Sequence, residues 1–341
     1  MTLIIKLKKD VSNEAIETFK QAIEAKGFTL KDIGSEETTM FGVLGDTKTL
    51  DVRDVLAYEI VSDAVRIQSP FKEASRSFHK ENTVITLKNG ATFGNDESVM
   101  IAGPCSIESH TQLDTIAAYL STQGVKVLRG GAFKPRTSPY SFQGLGLEGL
   151  KMLYNTGQKY NMAVISEIMN KEDLDTFNTY TDIIQVGARN MANFDLLKAL
   201  GKAKKPIMLK RGLSATIEEW LMSAEYIMAH GNHEVILAER GIRTFETYTR
   251  NTLDISAVLA VKELSHLPVI IDPSHAAGKY SMIEKLSLAA LAVGADGLMV
   301  EVHNDPENAL SDGAQSLKFD RFSDMMQNLK TLSHAIKRPL Q

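Results

Sequence analysis

The chain has 341 residues, 43% of them hydrophobic and 23% charged, which is enough apolar material for a large core and more than one domain. Its net charge of -4 gives no reason to expect nucleic acid or an anionic membrane as a partner, and no apolar run is long enough to cross a bilayer. A single cysteine, Cys105, excludes an internal disulfide and fits a reducing compartment, so a cytoplasmic location is expected. The first ten residues, MTLIIKLKKD, alternate apolar and basic side chains and predict a strand over 3–7, not a signal peptide. Ser12 is placed to cap a helix running to about Lys26, with Ile16, Phe19 and Ile23 on one face and Gly27 as the stop. Phe28–Ile33 and Thr39–Leu44 predict two more strands, Leu50–Tyr58 a short helix, and Ile60–Ile67 a last strand. The order βαββαβ is the ferredoxin-like pattern, so residues 1–67 are expected to form a small first domain. Its charged residues, Lys8, Lys9, Glu36 and Glu37 among them, read as solvated faces. Residues 68–82 are polar, carry a proline and are expected to be a linker.

A second domain is expected over 83–341. It opens with a hairpin, Thr83–Leu87 and Ala91–Phe93, turned by the Asn89-Gly90 pair and able to cap one end of the domain. From Val99 the pattern becomes eight short apolar runs, each succeeded by a helical segment. The runs are Val99–Ala102, Val125–Leu128, Ala163–Glu167, Ile183–Val186, Pro206–Leu209, Glu234–Leu237, Pro268–Ile271 and Gly297–Glu301. Eight such units in roughly 240 residues predict an α/β fold, a (β/α)8 TIM barrel, with continuously apolar strands covered by helices. An open doubly wound sheet is the competing architecture, but no GxGxxG comes after the first run.

In a barrel the chemistry lies at the C-terminal strand ends, and the polar residues fall there. Cations gather in one group: Arg129, Lys134, Arg136, Arg189, Lys210 and Arg240. They would repel one another without anions between them, so more than one anionic group is implied, such as a phosphate and a carboxylate. Within VLRGGAFKPRTSPYSFQG, residues 127–144, the prolines Pro135 and Pro139 stiffen the backbone between basic and hydroxyl side chains. Cys105, His275, Glu301 and an acidic residue after the last strand form a second group, suited to one divalent metal ion: Mn, Fe, Co or Zn. Asp305 and Asp312 are both candidates for its fourth ligand.

The motifs AGPCSIES, VLRGGAFKPRTSPYSFQGLG, DIIQVGARNMANFDLL, LKRGL, ERGIRTFETYTRNTLDISAV, DPSHAAG and VEVHNDPENALSDGAQSL succeed one another in this chain. In content and order they resemble those of the 3-deoxy-D-arabino-heptulosonate 7-phosphate (DAHP) synthases of type I beta, over the whole barrel. The N-terminal segment resembles the ferredoxin-like extension of one subgroup. The resemblance implies condensation of phosphoenolpyruvate with erythrose 4-phosphate and water, the first step of the shikimate pathway. It implies Cys105, His275, Glu301 and Asp312 as metal ligands, which favours Asp312 over Asp305. It implies Arg129, Lys134, Arg189, Lys210 and Arg240 on phosphoenolpyruvate. Lys134, Pro135, Arg136, Thr137 and Ser138 would hold erythrose 4-phosphate, with Arg136 on its phosphate. Lys134, Cys105 and His275 are the expected catalytic groups, Lys134 moving a proton near the aldehyde oxygen. Feedback inhibition by tyrosine or phenylalanine and a homotetramer are further implications. The related 3-deoxy-D-manno-octulosonate 8-phosphate synthases use arabinose 5-phosphate and carry an asparagine-containing motif where this chain has KPRTS. A non-catalytic sensor of aromatic amino acids built on an enzyme barrel is the alternative from another class, and the full set of metal and phosphate groups argues against it.

Overall fold

The computed structural model describes residues 2–34, 38–45, 47–67, 70–135, 138 and 140–341. They form two compact units, 1–81 and 82–341. In the first, strands β1 (Thr2–Leu7), β2 (Thr29–Asp32), β3 (Met40–Leu44) and β4 (Val61–Ile67) make one antiparallel sheet in the order β2-β3-β1-β4. Helices α1 (Asn13–Glu24) and α2 (Val52–Leu56) connect them in the ferredoxin-like manner. Ser12 caps α1 by accepting the Ala15 N–H at 3.3 Å, and the helix buries Phe19 and Ile23. With Leu3, Ile5, Phe41 and Val43 from the sheet they form one apolar core. The second helix is shorter than its sequence suggests at both ends, with Asp51 capping its start and Ala57 closing it.

Part of the expected linker belongs to this unit. Phe71, Ala74 and Phe78 are buried, and Phe78 lies where a Cβ on Gly42 of β3 would be, 2.4 Å from its ring. The polar composition of 70–82 hides two aromatic anchors spaced seven residues apart. Glu36, Glu37, Gln68 and Ser69 lie outside the described residues.

The second unit begins with β5 (Ile85–Thr86) and β6 (Thr92–Phe93), an antiparallel hairpin. Its turn differs in detail from a two-residue Asn-Gly type. Gly90 N–H bonds Leu87 C=O and Leu87 N–H bonds Ala91 C=O, and Gly90 has φ 83° while Asn89 keeps negative φ. That is a three-residue loop closed by glycine in the left-handed region. Asn89 instead turns its amide to the carbonyl of Lys126, tying the turn to the barrel.

Eight parallel strands then close a barrel: β7 (Val99–Gly103), β8 (Val127–Arg129), β9 (Ala163–Ile168), β10 (Ile183–Val186), β11 (Ile207–Lys210), β12 (Val235–Glu239), β13 (Val269–Ile271) and β14 (Gly297–Glu301). Closure is made by β14 and β7, with Gly297 opposite Val99 and Glu301 opposite Gly103. The helices are α3 (His110–Thr122), α4 (Gly146–Lys159), α5 (Leu174–Tyr180), α6 (Phe194–Leu200), α7 (Ile217–Met228), α8 (Ser256–Leu264), α9 (Pro273–Ala277), α10 (Tyr280–Ala292) and α11 (Phe319–Ala335). Every residue of β7, β8, β10–β14 is buried, as expected for parallel strands covered on both faces. The hairpin plugs the end of the barrel at which the strands begin: Ile85, Leu87, Ala91 and Phe93 share a cluster with Val99, Val127, Ala163 and Ile183. None of the described helices is long and apolar enough to cross a membrane.

Candidate active site

Strand alternation decides which polar residues reach the barrel interior. Ile101, Val127, Ile165, Ile183, Met208, Ala238, Ile270 and Met299 all belong to the interior cluster. Two residues further along each chain segment stand Gly103, Arg129, Glu167, Gln185, Lys210, Arg240, Asp272 and Glu301. The interior layer at the mouth is therefore polar on seven of eight strands, directly above an apolar one. Its members pair between neighbouring or next-but-one strands. Arg129 Nη1 donates to Glu301 Oε1 at 2.5 Å, Lys210 Nζ to Asp272 Oδ2 at 2.5 Å, and Gln185 Nε2 to Glu167 Oε2 at 3.2 Å. Arg240 keeps one buried nitrogen, Nη1, without a hydrogen-bond partner.

The opposite parity points to the helices. Arg211 and Glu239, neighbours of Lys210 and Arg240, pair at 3.0 Å, and Arg211 also reaches Asp254 at 2.8 Å and lies over the Trp220 ring of α7. This ion network braces the outer wall.

Four residues from three strand ends bring ligand atoms within 4.8 Å of one another: Cys105, His275, Glu301 and Asp312. His275 is carried by α9, a short helix where the apolar run 268–271 suggests only a strand end. Its signals are visible in the sequence: Asp272 caps it by accepting His275 N–H at 3.0 Å, Pro273 occupies its first position, and Gly278 ends it in the left-handed conformation. The Cys105 thiol donates to Asp312 Oδ2 at 3.2 Å, lies 3.2 Å from Ser311 Oγ and accepts from Lys134 Nζ at 3.1 Å. Gln315 donates to Glu301 Oε2 at 2.7 Å, and Arg250 reaches both Asp312 at 3.3 Å and Gln315 at 3.2 Å. Asp305 is elsewhere: its carboxylate accepts from Asn308 at 2.8 Å.

Electrostatics distinguish the members of this group. Burial, reinforced by the Glu301 carboxylate, pushes the Cys105 thiol up to about 12. Burial alone would raise Glu301 as well, but His275, Arg129 and Lys134 outweigh it and hold the carboxyl down to about 2. Burial and Glu301 act against ionisation of Asp312, yet His275, Arg250 and the thiol keep it below the usual carboxylate range. Burial pulls His275 down, favouring the neutral ring. A soft sulfur, a neutral imidazole nitrogen and two ionised carboxylates converging at this spacing fit a divalent transition metal, whose charge would supply what a buried thiolate lacks.

Beside this cluster lies a cavity of about 310 Å³, lined by Lys134, Pro135, Ser138, Glu167, Arg189, Lys210, Arg240, Arg250, His275 and Asp312. Arg189 reaches it from a single helical turn, Ala188–Asn190, after β10. Burial lowers the proton affinity of both Lys210 and Arg240, with Asp272 opposing in each case. Arg129 is not among the lining residues: it is buried behind them against Glu301 and the Cys105 carbonyl. Arg136 and Thr137 lie outside the described residues. Sequence reasoning assigns no role to Gln185, Asp272, Arg250, Ser311 or Gln315. Counting by twos from the apolar layer would find the first two. The others sit on loops or, for Gln315, in a single helical turn, with no periodicity to read.

Residues 82–338 match the DAHP synthetase I family, and residues 3–69 match the DAHP synthase ferredoxin-like domain. A protein named phospho-2-dehydro-3-deoxyheptonate aldolase, from Thermotoga maritima, is 48% identical over 98% of each chain. A crystal structure of phospho-2-dehydro-3-deoxyheptonate aldolase (DAHP synthase) from the same organism superposes with a TM-score of 0.80 at 47% identity, covering 100% of this chain and 99% of that one. A 2-dehydro-3-deoxyphosphooctonate aldolase from Syntrophotalea carbinolica is more distant, 31% identical over 72% of this chain and 95% of its own. With both units matched and the second covering most of the sequence, the chain belongs to the DAHP synthetase I family.

Proposed function

We propose that this enzyme joins phosphoenolpyruvate, erythrose 4-phosphate and water to give DAHP and inorganic phosphate. Cys105, His275, Glu301 and Asp312 would hold one divalent ion, Mn, Fe, Co or Zn. The observation that carries this reading is one cavity walled by Lys134, Arg189, Lys210 and Arg240 on one side and by His275 and Asp312 on the other. Bound there, the ion supplies Lewis acidity toward the aldehyde oxygen. Arg189, Lys210 and Arg240 bind the carboxylate and phosphate of phosphoenolpyruvate, and the unpartnered nitrogen of Arg240 is free for one of those oxygens. Arg129 acts one step back, fixing Glu301. Lys134, Pro135, Arg136, Thr137 and Ser138 hold the sugar phosphate, Arg136 on its phosphate. Carbon 3 of phosphoenolpyruvate forms a bond to the aldehyde carbon, and Lys134 gives a proton to the oxygen that becomes a hydroxyl. Water adds at carbon 2 with loss of one proton, which restores the one given by Lys134. The C–O bond to phosphate then breaks as the new hydroxyl becomes the C2 carbonyl, its proton leaving with the inorganic phosphate.

The 31% identical relative is named for the eight-carbon product, so the sugar must be argued from this chain's residues. The string KPRTS, 134–138, and the 48% identical relative both favour erythrose 4-phosphate. The first unit is inferred to carry inhibition by tyrosine or phenylalanine. One experiment tests the whole reading: phosphate release measured with erythrose 4-phosphate and with arabinose 5-phosphate, before and after chelation and Mn²⁺ return, with and without each amino acid. Turnover with the four-carbon sugar only, lost on chelation and restored by Mn²⁺, is expected. Preference for arabinose 5-phosphate, or full activity after chelation, would refute it. A chain lacking 1–81 should remain active and lose the inhibition; inhibition at an unchanged concentration would refute the regulatory part.

A further inference from the structure

The His275 ring faces a carboxylate with each of its nitrogens. Nε2 lies 3.2 Å from Glu301 Oε1, on the side of the ligand cluster. Nδ1 lies 2.7 Å from Asp272 Oδ2. That same Asp272 oxygen accepts from Lys210 Nζ at 2.5 Å. Asp272 is fully enclosed, and the side chains of Lys210 and His275 are 5% and 13% exposed, so water cannot readily substitute for either contact. One oxygen atom thus serves a cation of the substrate cavity and a candidate metal ligand.

We propose that Asp272 is a positioning residue that couples the metal site to the phosphoenolpyruvate site, so that each ligand strengthens binding of the other. The proposal rests on the functional reading of the cavity, and it adds a link between its two halves. Asp272, the nearer carboxylate, favours the tautomer that a metal ion would need: Nδ1 carries the proton, and Nε2 would present its lone pair to an ion held between it and Glu301. The sign of the coupling is set by the shared oxygen. An anion in the cavity draws Lys210 toward itself and loosens its hold on Asp272. The carboxylate then accepts more strongly from His275, which makes Nε2 a better donor to a metal ion. In reverse, a cation at Nε2 makes Nδ1–H a stronger donor to Asp272. Lys210 is held less tightly and shows more of its charge to the anion. Because linkage is reciprocal, both directions must have the same factor.

The test uses the full-length protein, Co²⁺ as the metal probe and phosphoenolpyruvate as the anion, with no sugar phosphate and no turnover. Co²⁺ affinity is read from thiolate-to-cobalt absorption, with and without saturating phosphoenolpyruvate; phosphoenolpyruvate affinity is read by calorimetry, with and without Co²⁺. The wild type is expected to show a coupling factor of at least about fivefold, equal in the two directions. Asp272→Asn, which keeps the shape but not the charge, is expected to weaken Co²⁺ about 10–100-fold and to cut the coupling below about twofold. A merely structural role for Asp272 would lower affinity and leave the coupling factor intact, and that result overturns the proposal. So does a wild type that binds both ligands independently. A wild type that binds neither ligand refutes the functional reading itself. Should Asp272→Asn not fold, Lys210→Gln keeps a donor facing Asp272 without its charge. Co²⁺ affinity in that variant is expected to ignore saturating phosphoenolpyruvate, and a retained fivefold response overturns the link.

Discussion

At the end where the barrel strands begin, Ile85 and Phe93 of the hairpin sit among Val99, Val127 and Ile183. A few residues later the same strands reach Arg129, Lys210, Asp272 and Glu301, nearly as deeply buried. The two ends share backbone and burial and differ in what burial does. Below, each apolar group removed from water adds stability, in proportion to area. Above, each enclosed charge costs several kcal/mol unless a partner repays it, and even a good pair rarely does better than break even. The charges buried at the mouth therefore add little net stability, whereas the apolar plug below adds much.

The largest expected effect of breaking this division lies at the mouth. Lys134→Met should lower turnover at saturating substrate by about 10²–10⁴-fold, with the melting temperature unchanged. Near-normal turnover would remove Lys134 from the proton-transfer step. The converse change at the lower end is Phe93→Ala, in a residue with no exposed surface. It should cost about 3–5 kcal/mol in urea unfolding while folded molecules turn over as before. Loss of activity without loss of stability there would mean that the plug does more than fill space.

The smallest effect concerns the outer wall and sharpens the comparison. Burial would raise the Asp254 carboxyl, but the Ser256 hydroxyl and Arg211 outweigh it and hold it below its ordinary value. Such a group stabilises the fold above the unfolded carboxylate pKa, and that contribution fades as pH falls through its lower folded value. Asp254→Asn should therefore be less stable than wild type at pH 7 and converge with it in strong acid. Since Asp254 is partly open to solvent, the gap should be at most about 1 kcal/mol and shrink with salt. A gap independent of pH would assign the effect to lost packing instead.

The architecture is legible wherever a period runs for several residues. Continuous apolar runs such as Ile183–Val186 mark the parallel strands, and the Ser12 cap with Phe19 and Ile23 marks α1. Segments whose meaning depends on one or two large side chains are harder, as Phe71 and Phe78 are in a polar stretch. At the site, residue types suggest a thiol, imidazole and carboxylate group, but Asp305 and Asp312 are equivalent on paper. Only the loop after β14, which brings Asp312 against the Cys105 thiol, separates them in space. Asp272 is easily overlooked because a buried aspartate beside a proline reads first as a cap, which it also is. Lys210 and Arg211 stand side by side as equal cations, and only the parity of β11 sends one inward and the other toward Trp220.

The pairing of β14 with β7 bears on how such a chain is made. Glu301 lies opposite Gly103, so the ring is sealed only when a segment 198 residues downstream has been synthesised. At about 5–20 residues per second, that leaves an apolar edge strand waiting roughly 10–40 s on the ribosome. During that interval β7 presents unpaired backbone groups to any other strand nearby. Expression yield should for this reason depend on chaperone supply and growth temperature more steeply than the stability of the finished barrel would suggest.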